Sequence, residues 1–497
     1  MHTWKRKIII TTSAWTILFF LGTISRLCAD TWVDATFHFH DEARVLAQTL
    51  KNSMRVAQAP AIVDIKPVYQ VGDVREFFAF DVRNRDQYSL NASCQAVSDK
   101  AYIFVEEGKT VSFERIESLL NAFDRIYDAI TDQFGPSPDS IDNDPRIYLL
   151  LLDIIADIQV DGASVMGYFN PINQYRNVEI PNWIGYRSNE IEMLYIEHTS
   201  LSRIPDVSES ITAHEFTHLV QWGLDPEEST WIDEGIAVYA ESVLGYDTIG
   251  RVSAFEDNPE TSLLNWSGLM ADYGAAYLFF AYISERFGGA NSITTIMKNE
   301  ARGILGIEQA LASKGTPISF RSLFSDWCVA NYLDKPEAGD GTYGYSTLSI
   351  DLKPLTVESQ YPIERKDATA SGWAAQYIVF EKEANDFLNL TIYGKAGQNT
   401  FFQMINTTHK DVNVLPIELN DNGKVTTLIP QGTRAPILMV TSQPKPIARR
   451  WEWLLKRNDL SYAYSANIQQ REDVRSARPL QGKLITTWGE LKSSRRF

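Results

Sequence analysis

Ala213-His214-Glu215-Phe216-Thr217-His218-Leu219 and, after a short link, Thr230-Trp231-Ile232-Asp233-Glu234-Gly235 are the stretches whose reading decides the fold. The first holds an HExxH pattern. On a helix, positions four apart share one face, so both imidazoles reach one metal ion. Glu215 lies next to that face, where it can take a proton from an activated water. The chain has 7 histidines in 497 residues, and a chance match somewhere in it is on the order of 1 in 150. Asp206, Ser208 and Ser210 offer N-caps for this helix, and Gly223 offers a stop.

Zinc at a reactive site takes three protein ligands and keeps a fourth position open. Glu234 is the expected third ligand. It falls in the first turn of a second helix capped by Thr230, with Asp233 completing a capping box. The link Gly223–Ser229 allows an antiparallel return toward the histidines. Asp233 and Glu241 are the rival ligands. Glu241 shares the helix face of Glu234 and is also a candidate partner for the far nitrogen of a ligand histidine. Gly235 inside a helix costs about 1 kcal/mol relative to Ala, and the expected reason is close approach of that helix to the site.

Outward from this centre, Phe113, Ile116, Leu119, Leu120, Phe123, Ile126, Tyr127 and Ile130 recur at helical spacing up to Gly135-Pro136. Ile147–Leu152 is a continuous apolar run, expected as a strand buried on both faces, and Val165–Phe169 and Ile191–Ile196 are further strands. Residues 30–109 read as a β-rich lead-in with strand-like runs Val68–Val71, Glu76–Val82 and Ala101–Val105. Helical patterns dominate to about Asn331, and composition shifts near Asp334-Lys335-Pro336. Beyond it, Tyr377–Phe380, Phe387–Ile392, Phe401–Ile405, Val425–Ile429 and Ile437–Val440 predict a β-sandwich over 346–465, with Asp421-Asn422-Gly423 as a hairpin turn. The expected class is α+β: a mixed sheet with active-site helices over 110–345, a β-rich lead-in and a C-terminal sandwich.

At the start, Lys5, Arg6 and Lys7 precede an apolar run from Ile8 to Ile24, and Leu27-Cys28-Ala29 ends in a small residue. Residues 1–29 therefore read as a secretory signal peptide, with an uncleaved membrane anchor as the alternative. Lys plus Arg number 46 against 63 for Asp plus Glu, giving a net charge of −17. So acidic a surface disfavours nucleic acid as a partner. Cys94 and Cys328 remain after cleavage, as one disulfide or two buried thiols. The polar, locally basic tail 466–497 is a solvated end or a cell-surface docking segment. Nothing in the sequence sets an oligomeric state.

HEFTH followed by WIDEGIAVYAE resembles the gluzincin metallopeptidases, and most nearly the hyicolysin-type family of secreted bacterial neutral metallopeptidases. The similarity takes in YQVGD (69–73), AYIFVE (101–106), VMGYFNP (165–171), SNEIEMLYIE (188–197), YGAAYLFFAYISERFG (273–288) and DWCVANYLD (326–334). The resemblance implies a zincin-like catalytic domain, Zn2+ held by His214, His218 and Glu234, Glu215 as general base, and peptide or protein substrates. Tyr273 resembles the tyrosine that opens a helix in aminopeptidase gluzincins, displaced by two residues from that pattern, and is either a candidate oxyanion donor or a core or surface tyrosine. The spacing to Glu234 is shorter than in those aminopeptidases and no GAMEN-like segment occurs, so the resemblance implies an endopeptidase. Aminopeptidase activity, or a non-catalytic surface-binding role on a peptidase scaffold, are the alternatives. Ser164–Phe169 is either a candidate edge strand for an extended substrate or an ordinary inner strand, and His198 is expected as a surface histidine without an acidic neighbour at ligand spacing.

Overall fold

Ser112 accepts a hydrogen bond from the Arg115 amide and starts helix α1 (Phe113–Phe134), which ends at Gly135 as its periodicity predicts. Its buried stripe is Ile116, Leu119, Ala122, Phe123, Ile126, Ile130 and Phe134, whereas Phe113 lies outside the stripe and is exposed. The computed structural model describes residues 32–36, 39, 43–49, 68–156, 164–395, 399–407, 412–433, 435–444 and 460–469. The segment 1–29, read as a signal peptide, and the tail from 470 onward lie outside the described residues, and no helix among the described residues is long and apolar enough to cross a membrane.

These residues form two compact units, one running to Lys353 and including Gly372–Ala375, the other made of Pro354–Ser371 and the chain from Gln376. The first unit is built on a seven-stranded sheet of order β1-β6-β7-β5-β4-β3-β2. Its strands are β1 (Trp32–Asp34), β2 (Val74–Asp81), β3 (Asp86–Val97), β4 (Ala101–Glu106), β5 (Ile147–Leu152), β6 (Ser164–Tyr168) and β7 (Met193–Glu197). Parallel β5 lies between β4 and β7 and is buried along its whole length, as a continuous apolar run requires.

Several local expectations are corrected. The lead-in strands β2 to β4 continue the same sheet as β5 to β7, because β4 pairs in parallel with β5. No boundary near 109 therefore separates two sheets. Val68–Val71 is not a strand, and its place is taken by β3, unread in the sequence because its inward positions Ala92, Cys94 and Ala96 are small. Strand β6 is not the edge: β1 covers it in parallel, with Trp32 opposite Ser164 and Asp34 opposite Gly167. Of the two alternatives for Cys94 and Cys328, the structure has two buried thiols with no disulfide between them.

Above the sheet lie α2 (His198–Arg203), α3 (Pro205–Leu224), α4 (Thr230–Val243), α5 (Ile249–Asp257), α6 (Met270–Phe287), α7 (Ala290–Met297), α8 (Gly303–Ser313) and α9 (Phe320–Leu333). Helix α3 begins at Pro205 with no side-chain cap, so Asp206, Ser208 and Ser210 all fall inside it, and it runs one residue past Gly223. Proline presets the first helical φ and lacks the N–H a cap would satisfy. Helix α4 likewise lacks a capping box; its N-cap is Ser229.

The second unit is a sandwich. Its five-stranded sheet has the order β13-β12-β15-β10-β8, from β8 (Thr356–Glu358), β10 (Ala375–Phe380), β12 (Thr400–Thr407), β13 (Val412–Ile417) and β15 (Ile437–Ser442). The other has the order β14-β11-β16-β9, from β9 (Ile363–Ala370), β11 (Phe387–Tyr393), β14 (Lys424–Ile429) and β16 (Leu460–Gln469). Residues of both sheets, among them Phe380, Leu390, Phe402, Val440 and Tyr464, share one core. Asp421-Asn422-Gly423 makes the expected tight turn, with Gly423 at φ 70°, but it passes the chain from one sheet to the other instead of closing a hairpin.

Candidate metal centre

His214 and His218 occupy successive turns of α3, both buried, and their Nε2 atoms stand 3.1 Å apart. Helix α4 returns beside them and brings the Glu234 Oε2 to 3.3 Å from the His214 Nε2 and 3.5 Å from that of His218. Four ligands at the usual zinc distances of about 2.0–2.1 Å would lie about 3.3 Å from one another at the corners of a tetrahedron. The three donors have that spacing.

The far side of each imidazole fixes its tautomer. His214 donates from Nδ1 to the Glu241 Oε1 at 2.7 Å, and Glu241 also accepts from Ser210 Oγ at 2.6 Å and Arg251 Nη1 at 2.9 Å. His218 donates from Nδ1 to the Gln221 Oε1 at 3.0 Å, while the Gln221 amide nitrogen donates to the Asp233 carbonyl and so fixes which end of the amide faces the ring. Each Nε2 then carries a lone pair aimed at the other. Neither oxygen of the fully buried Glu234 carboxylate accepts a hydrogen bond among the described residues. Two converging lone pairs and an unsatisfied carboxylate in a dry interior are costly unless a cation lies among them. The donor set therefore fits zinc.

The rival third ligands are placed elsewhere. Asp233 ion-pairs with Arg44 at 3.1 Å, and Glu241 lies behind His214 on the side away from His218. Gly235 serves packing between helices: a Cβ there would come within 2.7 Å of the Phe280 ring and 2.9 Å of the Ala276 Cβ on α6. The close approach is thus to α6, in place of the expected approach to the site.

Three groups join the site without a local sequence signal. Asp34, at the end of β1, brings its Oδ2 to 3.6 Å from the His214 Nε2 and forms one group with His214, His218 and Glu234 whose donor atoms all lie within 4.8 Å of one another. Thr36 Oγ donates to the Glu215 Oε2 at 2.7 Å, leaving Oε1 without a hydrogen-bond partner among the described residues. Burial and then the Asp34 charge push the Glu215 carboxyl up to about 8, against the pull of the two histidines. The third is Arg251, which stacks on Trp32 at 4.2 Å and holds Glu241. Gly167 of β6 lets the strand pass over α3, since a Cβ there would meet the Ile211 Cγ2 at 2.4 Å and the Glu215 Oε1 at 3.1 Å.

Tyr273, in the first turns of α6, is buried with its ring centroid 6.4 Å from that of His214, and its hydroxyl donates to the Asp34 Oδ2 at 2.7 Å. It is therefore brought to the centre, buried in the core as well. His198 does have acidic neighbours, contrary to expectation: its Nε2 lies 2.8 Å from the Asp153 Oδ1, and it groups with Asp153 and Glu197. Lys109 neutralises the same Asp153.

Two helical histidines, a facing glutamate and an adjacent carboxylate make a donor set suited to a metal ion. Among known proteins, the chain is 23% identical over 318 residues to the neutral metalloprotease ShpI of Staphylococcus hyicus, across 58% of this chain and 69% of that protein. It is a distant, partial relative of a metalloprotease. No family model matches the chain. Solved structures that resemble it include the pre-peptidase C-terminal domain of a collagenase from Bacillus anthracis, at 9% identity and TM-score 0.18 over 23% of this chain and 98% of that one. Another is PliG of Aeromonas hydrophila, a periplasmic inhibitor of g-type lysozyme, at 13% identity and TM-score 0.17 over 23% and 98%. At such scores neither likeness bears on the site.

Proposed function

We propose that the chain is a secreted zinc-dependent endopeptidase, with His214, His218 and Glu234 holding the ion and Glu215 acting as general base. The observation that carries this reading is the convergence of three buried donors, 3.1 to 3.5 Å apart, on one point beside the glutamate of the HExxH pattern. When bound, zinc supplies Lewis-acid polarisation of a scissile carbonyl and lowers the pKa of water. Glu241 and Gln221 hold the imidazoles with their Nε2 lone pairs forward. Glu215 takes a proton from the attacking water at Oε1 and returns it to the leaving amine. The Tyr273 hydroxyl, within the same buried cluster, is the proposed donor to the carbonyl oxygen as charge develops on it.

Peptides or proteins are the proposed substrates. An endopeptidase is favoured over an aminopeptidase because no amine-binding segment accompanies the motif. Secretion rests on the signal-peptide reading of residues 1–29, and attachment to a cell surface is proposed for the sandwich unit or the tail. The deciding experiment measures zinc content and casein hydrolysis, with and without a chelator, in the wild type and in Glu215→Gln. The variant is expected to keep its zinc and lose activity by on the order of 100-fold or more. Near-normal turnover would exclude Glu215 as the base.

A further inference from the structure

A reactive zinc site needs an open coordination position, whereas a site with four protein ligands is closed. This centre has a fourth candidate donor, and it comes from an unusual place. Trp32–Asp34 adds to β6 as an edge strand, Ala35 N donates to the Gly167 carbonyl at 3.1 Å, and the strand end and the turn after it deliver two polar side chains, Asp34 and Thr36, into the site. The Asp34 Oδ2 takes its place beside the three metal donors and also accepts the Tyr273 hydroxyl. The Asp34 Oδ1 accepts from Thr36 N at 2.5 Å, and the Thr36 hydroxyl donates to Glu215 while accepting from Phe169 N at 2.8 Å. Each proposed participant is thereby engaged: the fourth position by Asp34, the base by Thr36 and the oxyanion donor by Asp34.

We infer that Trp32–Thr36 is an internal occupant of the substrate site, with Asp34 as fourth metal ligand, so that the chain is held at low but measurable activity until this segment leaves β6. The inference rests on the zinc peptidase reading. The occupant also indicates what it displaces. A strand added to β6 through backbone hydrogen bonds is the mode by which an extended peptide binds an open sheet edge. Trp32 packs edge-on against the His214 ring at 5.6 Å, and Trp32, Val33 and Ala35 are all buried. Departure of the segment would bare an apolar cleft along β6. The substrate class is therefore an extended polypeptide with an apolar side chain next to the metal. The segment resists cleavage for a chemical reason: it presents a side-chain carboxylate, not a peptide carbonyl, to the metal position. Arg44 anchors the following helical stretch, over 43–49, on α4 through Thr230 and Asp233, each at 3.1 Å.

The test uses the full zinc-loaded chain and a peptide hydroxamate, which needs the open position, titrated by calorimetry. Zinc is counted in every sample. The wild type is expected to bind hydroxamate at least tenfold more weakly than Asp34→Ala. Asp34→Asn keeps the side-chain volume and an acceptor for Tyr273 but is a poorer ligand, and is expected to behave like Asp34→Ala; it decides the matter if the alanine variant does not fold. Zinc K-edge absorption is expected to show a protein oxygen replaced by water in both variants. One zinc per chain with equal hydroxamate affinity in all three proteins would overturn the inference of an internal occupant and leave the peptidase reading intact. Absence of zinc from all three would overturn the peptidase reading itself, and the inference with it.

Discussion

Glu241→Gln probes how far the centre depends on a residue that need not touch the metal. The carboxylate accepts from three donors, Ser210, His214 and Arg251, and is fully buried. An amide has one acceptor oxygen. If it keeps His214, the NH2 faces Ser210 and Arg251; the serine hydroxyl can turn to accept, but a guanidinium has no acceptor. Two losses follow. His214 loses the negative charge behind its ring, and removal of such a partner typically weakens metal binding 10- to 100-fold, or about 1.4–2.7 kcal/mol. Arg251, itself buried, loses its counter-charge, and breaking a buried pair costs about 3–5 kcal/mol of stability. Competition with a chromophoric chelator measures the first loss, and calorimetric melting of the metal-free protein measures the second. Adding Arg251→Met removes the stranded cation, so the double variant should recover most of the melting temperature while its zinc affinity stays low. A folded Glu241→Gln protein whose zinc affinity is within threefold of the wild type would refute the argument.

Other outcomes are equally definite. His214→Ala, His218→Ala and Glu234→Ala should each abolish stoichiometric zinc by elemental analysis; zinc retained by Glu234→Ala would turn attention to Asp34 as the third ligand. Trp373→Ala should destabilise the first unit by about 3–5 kcal/mol in a denaturant titration, because the indole packs against Phe320 and Phe324 at 5.0 and 5.3 Å. A chain ended near residue 350 loses that indole and should melt earlier for the same reason. Glu192 is buried, and burial, with the Asp142 charge next, pushes it from 4.5 up to about 9. A raised carboxyl binds its proton more tightly in the folded state, so its contribution is present at low pH and is lost as pH rises from 4.5 towards 9. Melting temperatures between pH 5 and 9 should fall less in Glu192→Gln than in the wild type.

Much of the fold was legible wherever one period ran uninterrupted. Helix α1 follows its stripe to within a residue, and β5 is the buried strand its apolar run requires. Where side chains are small or alternate weakly, the signal fades. Strand β3 was unread because alanine and cysteine carry its inward face, and β9 because Glu364, Arg365, Lys366 and Asp367 are all exposed at its centre. Hydrogen bonding to neighbours already in the sheet holds both strands, and that is a property of the pairing, not of either sequence.

The site divides along the same physical line. His214, Glu215 and His218 are fixed by one helical turn, and Gln221 was within reach of the same reasoning, since three residues beyond His218 lies on its face. Glu234 and Glu241 needed only one further step, the antiparallel return of α4, and their seven-residue interval keeps them on one face. Asp34 and Thr36 had no such handle. They lie 179 residues from Glu215 in the case of Thr36, and reach it only because β1 joins the far side of β6. No periodicity encodes that pairing; the energetic hint is compositional, an apolar Trp32-Val33 beside an aspartate that pays for its burial through Tyr273 and the metal donors. A buried acid at a sheet edge, with a threonine two residues later, acquires meaning only once the sheet order is known. That is why the helical half of the centre could be read from the sequence and the strand-borne half could not.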